Sequence, residues 1–330
     1  MKIPTSDYLF EPFSAVRFIK EIGRGKHGAR SMSRLDAQDL YAAMLDGRVA
    51  ELEMGAIMLS MRIKGESVEE IAGFLDAASA SFAPLTAPGG LYAPVVIPSY
   101  NGARKMANLT ALLALLLARE GVPVLVHGVA SDPGRVSTAE VFAALGMAAC
   151  ASHFEVEASL RRGQPGFITI DMLAPKLAHL LSLRRRLGVR NSTHTLVKIM
   201  QPFAAPALRL VSYTHPEYLE MLGAYFMTAA PHQRGDAFLM RGTEGETVAN
   251  ANKAQQIDWF HGSERTILVQ KQVLVQELPV LPAERDALTT AAWIQQVMNG
   301  DIAVPPSIAE QVAQCLLVSK LLQARGSHHE

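Results

Sequence analysis

The sequence predicts an α/β protein in which a small all-helical N-terminal domain precedes a larger α/β domain with a mostly parallel central sheet. Three observations predict this class. The N-terminal part contains amphipathic segments separated by short turns, a proline- and glycine-rich stretch follows at residues 82–94, and strand and helix patterns alternate beyond it. Hydrophobic residues make up 49% of the 330 residues and charged residues 19%, so the chain can supply a large buried core.

Four helices are expected in the N-terminal domain because apolar residues recur there at helical spacing. Ser33 and Asp36 have the spacing of a helix cap, and Ser67 and Glu70 have that of a capping box. The four predicted helices cover residues 12–22, 33–45, 52–64 and 67–80.

In the second domain, apolar runs rich in valine, isoleucine and leucine predict strands, and amphipathic stretches between them predict helices. The predicted strands are Pro94–Pro98, Pro123–His127, Gly166–Ile170, Leu208–Tyr213, Ala237–Arg241 and Arg265–Val269. The predicted helices between them are Leu109–Glu120, Ser137–Leu145 and Pro216–Tyr225. We therefore place the helical domain at residues 1–84 and the α/β domain at 85–330, with two helices within about 171–203 rejoining the helical domain.

Cysteine usage and hydropathy predict a cytoplasmic protein without a membrane segment. Cys150 and Cys315 stand far apart without metal-ligand spacing, which indicates reduced core thiols. The N-terminal residues lack the pattern of a secretory signal, and the longest apolar stretch, 109–118, is too short to cross a bilayer.

Basic residues are concentrated in three windows although the chain has 31 cations and 31 anions. Residues 16–34 contain six cations and one acid, residues 97–115 contain two cations and no acid, and residues 172–198 contain six cations and no acid. Such segregation creates a local positive field that attracts polyanions. The alternative is that these windows are merely solvated helix faces and helix ends.

Five segments, taken in order, resemble the anthranilate phosphoribosyltransferase-like (glycosyltransferase family 3) proteins. They are residues 108–128, 136–146, 184–196, 211–222 and 236–246. The resemblance implies the nucleoside phosphorylase/phosphoribosyltransferase fold. It also implies, for enzymatic members, a glycine-rich loop that binds phosphoribosyl diphosphate and an acidic pair that holds Mg²⁺.

This sequence departs from both enzymatic motifs. The glycine-rich loop is replaced by Pro98–Gly102, and the acidic pair falls on Thr247 and Val248, which cannot anchor a metal ion. We therefore expect no catalytic residues, no metal and no cofactor. The alternative is a phosphoribosyltransferase with an altered substrate, and only such an enzyme would need Mg²⁺. The expected remnant of the substrate pocket is Ser99, Tyr100, Asn101, Gly102, Asn108, Thr110, His127, Gly128 and Arg190.

Within the family, residues 21–30, 97–110 and 188–198 resemble the YbiB-type branch, which implies a homodimer, joined through the helical domains, that binds nucleic acid. Binding is expected to be independent of base sequence and sensitive to salt, with single strands favoured if bases stack on Tyr100 or His194. The sequence leaves the preference between DNA and RNA open. It also leaves open a third function, that of a sensor of small phosphorylated metabolites. The expected nucleic-acid-binding residues are Arg24, Lys26, His27, Arg30, Arg104, Lys105, Arg184, Arg185, Arg186, Arg190 and Lys198.

Overall fold

The computed structural model of the protein describes residues 13–25, 27–253, 255–271 and 279–326. They form two compact units. The helical unit contains the described residues up to Ser81 together with Lys176–Leu196, and the α/β unit contains Phe82–Pro175 and the described residues from Val197 onward.

Fourteen α-helices occur in the described parts of the chain. They are α1 (Val16–Ile22), α2 (Arg34–Leu45), α3 (Glu51–Lys64), α4 (Val68–Ala80), α5 (Thr110–Arg119), α6 (Thr138–Ala144), α7 (His153–Arg161), α8 (Ile170–Leu173), α9 (Pro175–Ser182), α10 (Arg184–Leu187), α11 (Thr193–Leu196), α12 (Pro216–Thr228), α13 (Ala287–Asn299) and α14 (Pro306–Gly326). Within the ranges that the structure describes, no helix is both long enough and apolar enough to cross a membrane.

The α/β unit contains one seven-stranded sheet with the order β3-β2-β1-β4-β5-β6-β7. Its strands are β1 (Val95–Ser99), β2 (Val124–Gly128), β3 (Gly166–Thr169), β4 (Leu208–Tyr213), β5 (Ala237–Arg241), β6 (Ile257–His261) and β7 (Glu264–Val269). The first five strands in this order pair in parallel, and β6 and β7 add an antiparallel edge. The mostly parallel sheet expected from the sequence is therefore present.

Helices α2 and α4 pack closely in the helical unit. A Cβ atom at Gly73 would lie 2.1 Å from the carbonyl oxygen of Arg34, so only glycine permits this approach of the two backbones. The Tyr41 and Phe74 rings stack beside it with centroids 4.9 Å apart. The same unit is stabilised by the predicted caps, because Ser33 accepts the N–H of Asp36 at the start of α2.

Glu70 completes the capping box of α4 and also joins three segments of the helical unit. Its carboxylate accepts the backbone N–H of Ser67 at 2.8 Å and that of Met32 at 3.0 Å. It also pairs with the Lys64 ammonium at 2.6 Å, and the Glu70 side chain is completely buried. A buried charge of this kind is tolerated only because every one of these partners is in place.

Helix α14 ties the segment after β5 to the sheet. The buried Gln311 side chain accepts the N–H of Ala249 at 2.7 Å and donates to the carbonyl oxygen of Thr247, also at 2.7 Å. Ser319 on the same helix donates to the carbonyl oxygen of Ala93, just before β1. These bonds hold the chain after β5 in a fixed position beside the carboxyl end of that strand.

Several sequence expectations are corrected. The first helix begins at Val16, and residues 13–15 before it are not helical; the expected start at residue 12 lies outside the described residues. The two helices expected within 171–203 are the three helices α9, α10 and α11, preceded by α8. Strand β6 was not expected, because Asp258 and His261 interrupt its apolar pattern. Helices α7, α13 and α14 were also missed.

Candidate functional site

The candidate site lies at the carboxyl ends of three strands of the α/β unit. Strand β1 runs parallel to β2 and β4, and β4 runs parallel to β5, so the ends of these strands share one edge of the sheet. Three segments meet at this edge: Tyr100–Lys105, His127–Gly128 and Arg241–Glu246. Ligands of parallel α/β sheets bind at this edge.

A buried polar network fixes the start of the loop that follows β1. The Ser99 hydroxyl donates to the Thr138 hydroxyl at 2.7 Å, and the Asn108 amide donates to the same oxygen at 3.0 Å. The Asn108 side-chain oxygen in turn accepts the N–H of Thr110 at the start of α5. Three residues of the expected remnant pocket, Ser99, Asn108 and Thr110, therefore join β1 to α5 and α6.

Gly128 and Tyr100 are the points where β2 contacts this loop. A Cβ atom at Gly128 would lie 1.8 Å from the carbonyl oxygen of Ser99, so the residue must be glycine. The Tyr100 hydroxyl lies 2.7 Å from Nδ1 of His127, and the two rings meet edge to face with centroids 5.5 Å apart. Tyr100 is half-buried and packs against His127.

The Tyr100–His127 pair is neutral around pH 7. Burial lowers the pKa of His127 to about 3, because desolvation disfavours the imidazolium. Burial also raises the pKa of Tyr100 well above its ordinary value, and the Asp171 carboxylate adds to that shift. The other ring nitrogen of His127, Nε2, is buried and has no hydrogen-bond partner among the described atoms.

Two glutamates accept the backbone N–H groups of the loop after β1. Glu246 Oε1 accepts the N–H of Asn101 at 2.8 Å and that of Gly102 at 2.7 Å. The Glu244 carboxylate accepts the N–H of Arg104 at 2.6 Å and that of Lys105 at 2.7 Å. The intervening N–H, that of residue 103, donates to a carbonyl oxygen 3.0 Å away in residue 136. All five donors of residues 101–105 are therefore engaged within the protein.

A tight turn after β5 aims both glutamates at the loop. The N–H of Thr243 donates to the carbonyl oxygen of Glu246, and the N–H of Glu246 donates back to that of Thr243, both at 3.0 Å. Glu244 and Gly245 have φ values of 56° and 96°, as in a type I′ turn. A Cβ atom at Gly245 would lie 1.8 Å from the Asn101 side chain. For Glu244 the left-handed backbone costs about 1 kcal/mol or more, and it places the carboxylate against the loop.

This geometry occupies the backbone donors of the loop that stands in place of the glycine-rich loop of the enzymatic members. The loop donors already face carboxylates, and Pro98 is buried inside β1 beside His127. The metal alternative does not fit either. Thr247 and Val248 are buried, and three of the four carboxylate oxygens of Glu244 and Glu246 accept backbone N–H groups, next to which a cation is unfavourable.

No group of three or more His, Cys, Asp or Glu side chains within the described ranges has a geometry that could hold a metal ion.

Four cationic side chains lie on or next to the loop after β1. The side chains of Arg104 and Lys105 are exposed, as expected. Arg285 is exposed and donates to the Arg104 carbonyl oxygen at 3.0 Å, and the half-buried Arg135 donates to that of Gly102 at 3.3 Å. Arg135 and Arg285 were missed from the sequence. The Pro-Gly turn after β2 could have indicated that Arg135 lies at the same edge of the sheet as the loop. Arg285 lies outside every motif recognised in the sequence.

The cations expected in the first basic window belong to the helical unit and are partly paired. Arg24 forms an ion pair with Glu21 at 2.5 Å, and Arg30 lies 3.8 Å from the same carboxylate. His27 is exposed, and Lys26 lies outside the described residues. Glu21 therefore offsets part of the positive charge that the sequence suggested for this segment.

The arginines of the third window also belong to the helical unit, whereas Lys198 belongs to the α/β unit. Arg184 and Arg185 are exposed on α10, and Arg186 pairs with Glu51 at 3.3 Å. Arg190 and Lys198 are half-buried and take part in interactions within the protein. Because successive residues of an α-helix are about 100° apart around its axis, the three consecutive arginines of α10 point in different directions.

Comparison with known proteins identifies the family. A glycosyl transferase family helical bundle domain matches residues 16–81, and the α/β domain of the same family matches residues 101–290. The chain belongs to this glycosyl transferase family. It is 43% identical over 304 residues to the uncharacterized protein YbiB of Escherichia coli (strain K12), covering 92% of this chain and 93% of that protein.

More distant relatives are anthranilate phosphoribosyltransferases. The enzyme of Anaeromyxobacter sp. (strain Fw109-5) is 28% identical over 222 residues, covering 66% of this chain and 63% of that one. The crystal structure of the enzyme from Thermus thermophilus matches with a TM-score of 0.69 and 20% identity, covering 93% and 89% of the two chains. The Saccharomyces cerevisiae enzyme in complex with PRPP and Mg matches with a TM-score of 0.68 and 12% identity, covering 94% and 88%. At these identities the structural likeness shows the fold, and the expected fold is confirmed.

Proposed function

We propose that this glycosyl transferase family protein binds nucleic acid through the phosphate backbone, without base specificity and without phosphoribosyl transfer. The observation that carries the proposal is the loop after β1. There, exposed Arg104 and Lys105 side chains project from a backbone whose own N–H groups are held by Glu244 and Glu246. The loop thus offers side-chain cations to phosphate while its backbone donors are already used.

This arrangement favours long phosphate chains over a single diphosphate. A small diphosphate gains its affinity from several donors that converge on one point. In this protein the backbone N–H groups of the loop donate to Glu246 and Glu244 instead. Two like unit charges about 4 Å apart, at an effective dielectric constant of about 20, repel each other by about 4 kcal/mol. A phosphate at that distance from a glutamate would therefore bind roughly a thousandfold more weakly. A polynucleotide can contact the outward cations without approaching the glutamates.

Further cations support a backbone-directed mode. Arg285 and Arg135 contact the loop from two other segments, so four cations share one surface of the α/β unit. Arg184 and Arg185 add exposed guanidinium groups in the helical unit. Arginine binds phosphate oxygens as a planar fork and carries no information about base sequence.

We further propose that the protein is a homodimer joined through its helical unit. Helix α3 exposes an apolar stripe in which Leu52 is 87% exposed, Leu59 48% and Ile63 65%, at spacings of seven and four residues. A second copy of the same helix would cover this stripe by a self-complementary contact. A dimer carries two copies of each cationic surface, and linking two binding surfaces increases the effective concentration of binding groups for a long polyanion.

The phosphoribosyltransferase alternative rests on the family fold and on Asn108, His127 and Arg190, which occupy motif positions of the enzymes. In this protein the Asn108 amide and the His127 Nδ1 atom bond to neighbouring side chains. Isothermal calorimetry with phosphoribosyl diphosphate and Mg²⁺ tests this alternative. Saturable heat that disappears in His127→Phe would favour it over the nucleic-acid proposal.

The nucleic-acid proposal is tested by fluorescence anisotropy with labelled mixed-sequence single strands of DNA and RNA of equal length, over a series of salt concentrations. For Arg104→Glu/Lys105→Glu we expect weaker binding and a slope of log K against log salt that is shallower by about 1.4, or about 0.7 for each lost phosphate contact. The variant should keep its fold because both side chains are exposed.

Arg119→Glu/Lys320→Glu is the matched control. It changes the net charge equally, but Arg119 ends α5 before β2 and Lys320 follows Ser319, which bonds near the start of β1. Both control positions therefore lie at the amino edge of the sheet, and this variant should bind almost as the wild type does. An anisotropy that stays flat at low salt, or equal losses in both variants, would refute the proposal.

The dimer is tested by sedimentation at several concentrations. Leu59→Lys/Ile63→Lys should yield monomers, whereas Leu288→Lys, at an exposed apolar position of the α/β unit, should leave the mass unchanged. A wild type that sediments as a monomer at all concentrations would contradict this part of the proposal.

A further inference from the structure

The loop after β1 has the geometry of an oxyanion site. Four backbone N–H groups, those of residues 101, 102, 104 and 105, donate to carboxylate oxygens within a span of five residues, and Arg104 and Lys105 add positive charge. Closely spaced backbone N–H groups of this kind bind anions in proteins. The anions in this protein are two of its own carboxylates.

The two carboxylates share the four donors equally. Glu246 Oε1 takes the first pair at 2.8 and 2.7 Å, and Glu244 takes the second pair at 2.6 and 2.7 Å, one donor for each oxygen. Glu246 is 1% exposed, and its second oxygen is buried without a hydrogen-bond partner among the described atoms. The described partners of the Glu246 carboxylate are the backbone N–H groups of Asn101 and Gly102, and these donors are the main compensation for its buried charge.

The strained turn indicates that this placement is specific. Glu244 has a left-handed backbone, which glycine or asparagine would adopt at lower cost. Gly245 allows the turn to touch Asn101 directly. The turn therefore presents two negative groups, one beside the other, to adjacent pairs of donors.

We propose that Glu244 and Glu246 are internal substitutes for phosphate, which close this oxyanion site to free small phosphates. The ligand class excluded is inorganic pyrophosphate and the polyphosphate moiety of nucleotides. This inference concerns small phosphates only, and it holds whether or not the protein binds nucleic acid.

The experiment measures inorganic pyrophosphate binding by isothermal calorimetry and by thermal shift, without divalent cations. The wild type should show no saturable binding. Glu246→Ala removes the carboxylate and leaves the two backbone donors without their acceptor, so we expect saturable pyrophosphate binding with an affinity at least about tenfold above the detection limit of the assay, since hydrogen bonds to charged groups are strong.

Glu246→Gln is the control because it has the same net charge as Glu246→Ala while its side-chain oxygen still accepts the two N–H groups. It should bind pyrophosphate no better than the wild type. If Glu246→Ala does not fold, Glu244→Ala and Glu244→Gln replace this pair, because Glu244 bonds to donors on the exposed part of the loop. Saturable binding by the wild type, or equal affinities of the alanine and glutamine variants, would overturn the inference.

Discussion

Acidification should destabilise the α/β unit through His127. The side chain is completely buried and its pKa is about 3, whereas an unfolded histidine has a pKa of about 6.5. Between these two values the unfolded state binds more protons than the folded state, so stability falls as the pH decreases from about 6.5 towards 3. Between pH 7 and pH 5, His127 alone should cost about 2 kcal/mol of unfolding free energy.

Urea unfolding at pH 7, 6 and 5, followed by tryptophan fluorescence, measures this loss. The protein has two tryptophans, Trp259 and Trp293, and both lie in the same unit as His127. His127→Asn retains a polar partner for Tyr100 but cannot be protonated in this range, so the loss between pH 7 and 5 should be smaller by about 2 kcal/mol than in the wild type.

The exposed His215 provides the control, and His215→Asn should keep the pH dependence of the wild type. If His127→Asn and the wild type lose equal free energy between pH 7 and 5, then His127 is protonated without penalty in the folded state. The conclusion that Tyr100 and the buried His127 form a neutral pair would then be refuted.

Two further predictions concern contacts within each unit. Glu70→Gln leaves the Lys64 ammonium without its buried partner and should reduce the unfolding free energy by about 3–5 kcal/mol in a urea titration, whereas Glu51→Gln, at an exposed ion pair, should cost less than about 1 kcal/mol. Gly245→Ala should reduce the unfolding free energy, measured by the same urea titration, more than Gly134→Ala does. Both glycines have positive φ, but only at Gly245 would the added Cβ meet another residue, the Asn101 side chain, at 1.8 Å. Similar losses in either pair of variants would contradict the corresponding contact.

Local sequence signals predicted most of the elements that position the site. Strands β4 and β5 begin and end where expected, and Ser67 caps α4 with Glu70 as its spacing indicates. These signals depend on residues a few positions apart, which is why they can be read directly from the chain. Strand β6 was missed because its pairing with β5 and β7 compensates for a mixed polar pattern.

The contacts that define the candidate site depend on long sequence separations. Glu246 bonds to residues 144 and 145 positions away, and Arg285 bonds to a residue 181 positions away. From the sequence, Glu244 and Glu246 could be recognised only as nearby carboxylates with the wrong spacing for a metal ion. Nothing local indicates that their oxygens face backbone donors of another loop.

The sequence by itself determined the two-part architecture, the family and the loss of the enzymatic motifs, because these follow from periodicity, capping and residue identity at motif positions. Only the tertiary structure decided what replaced those motifs. Parallel pairing brings the ends of β1 and β5 to one edge, and the left-handed turn at Glu244 directs two carboxylates into a loop that would otherwise bind anions. Charge and hydrogen-bond complementarity between distant segments is set by three-dimensional proximity, which residue order alone does not specify.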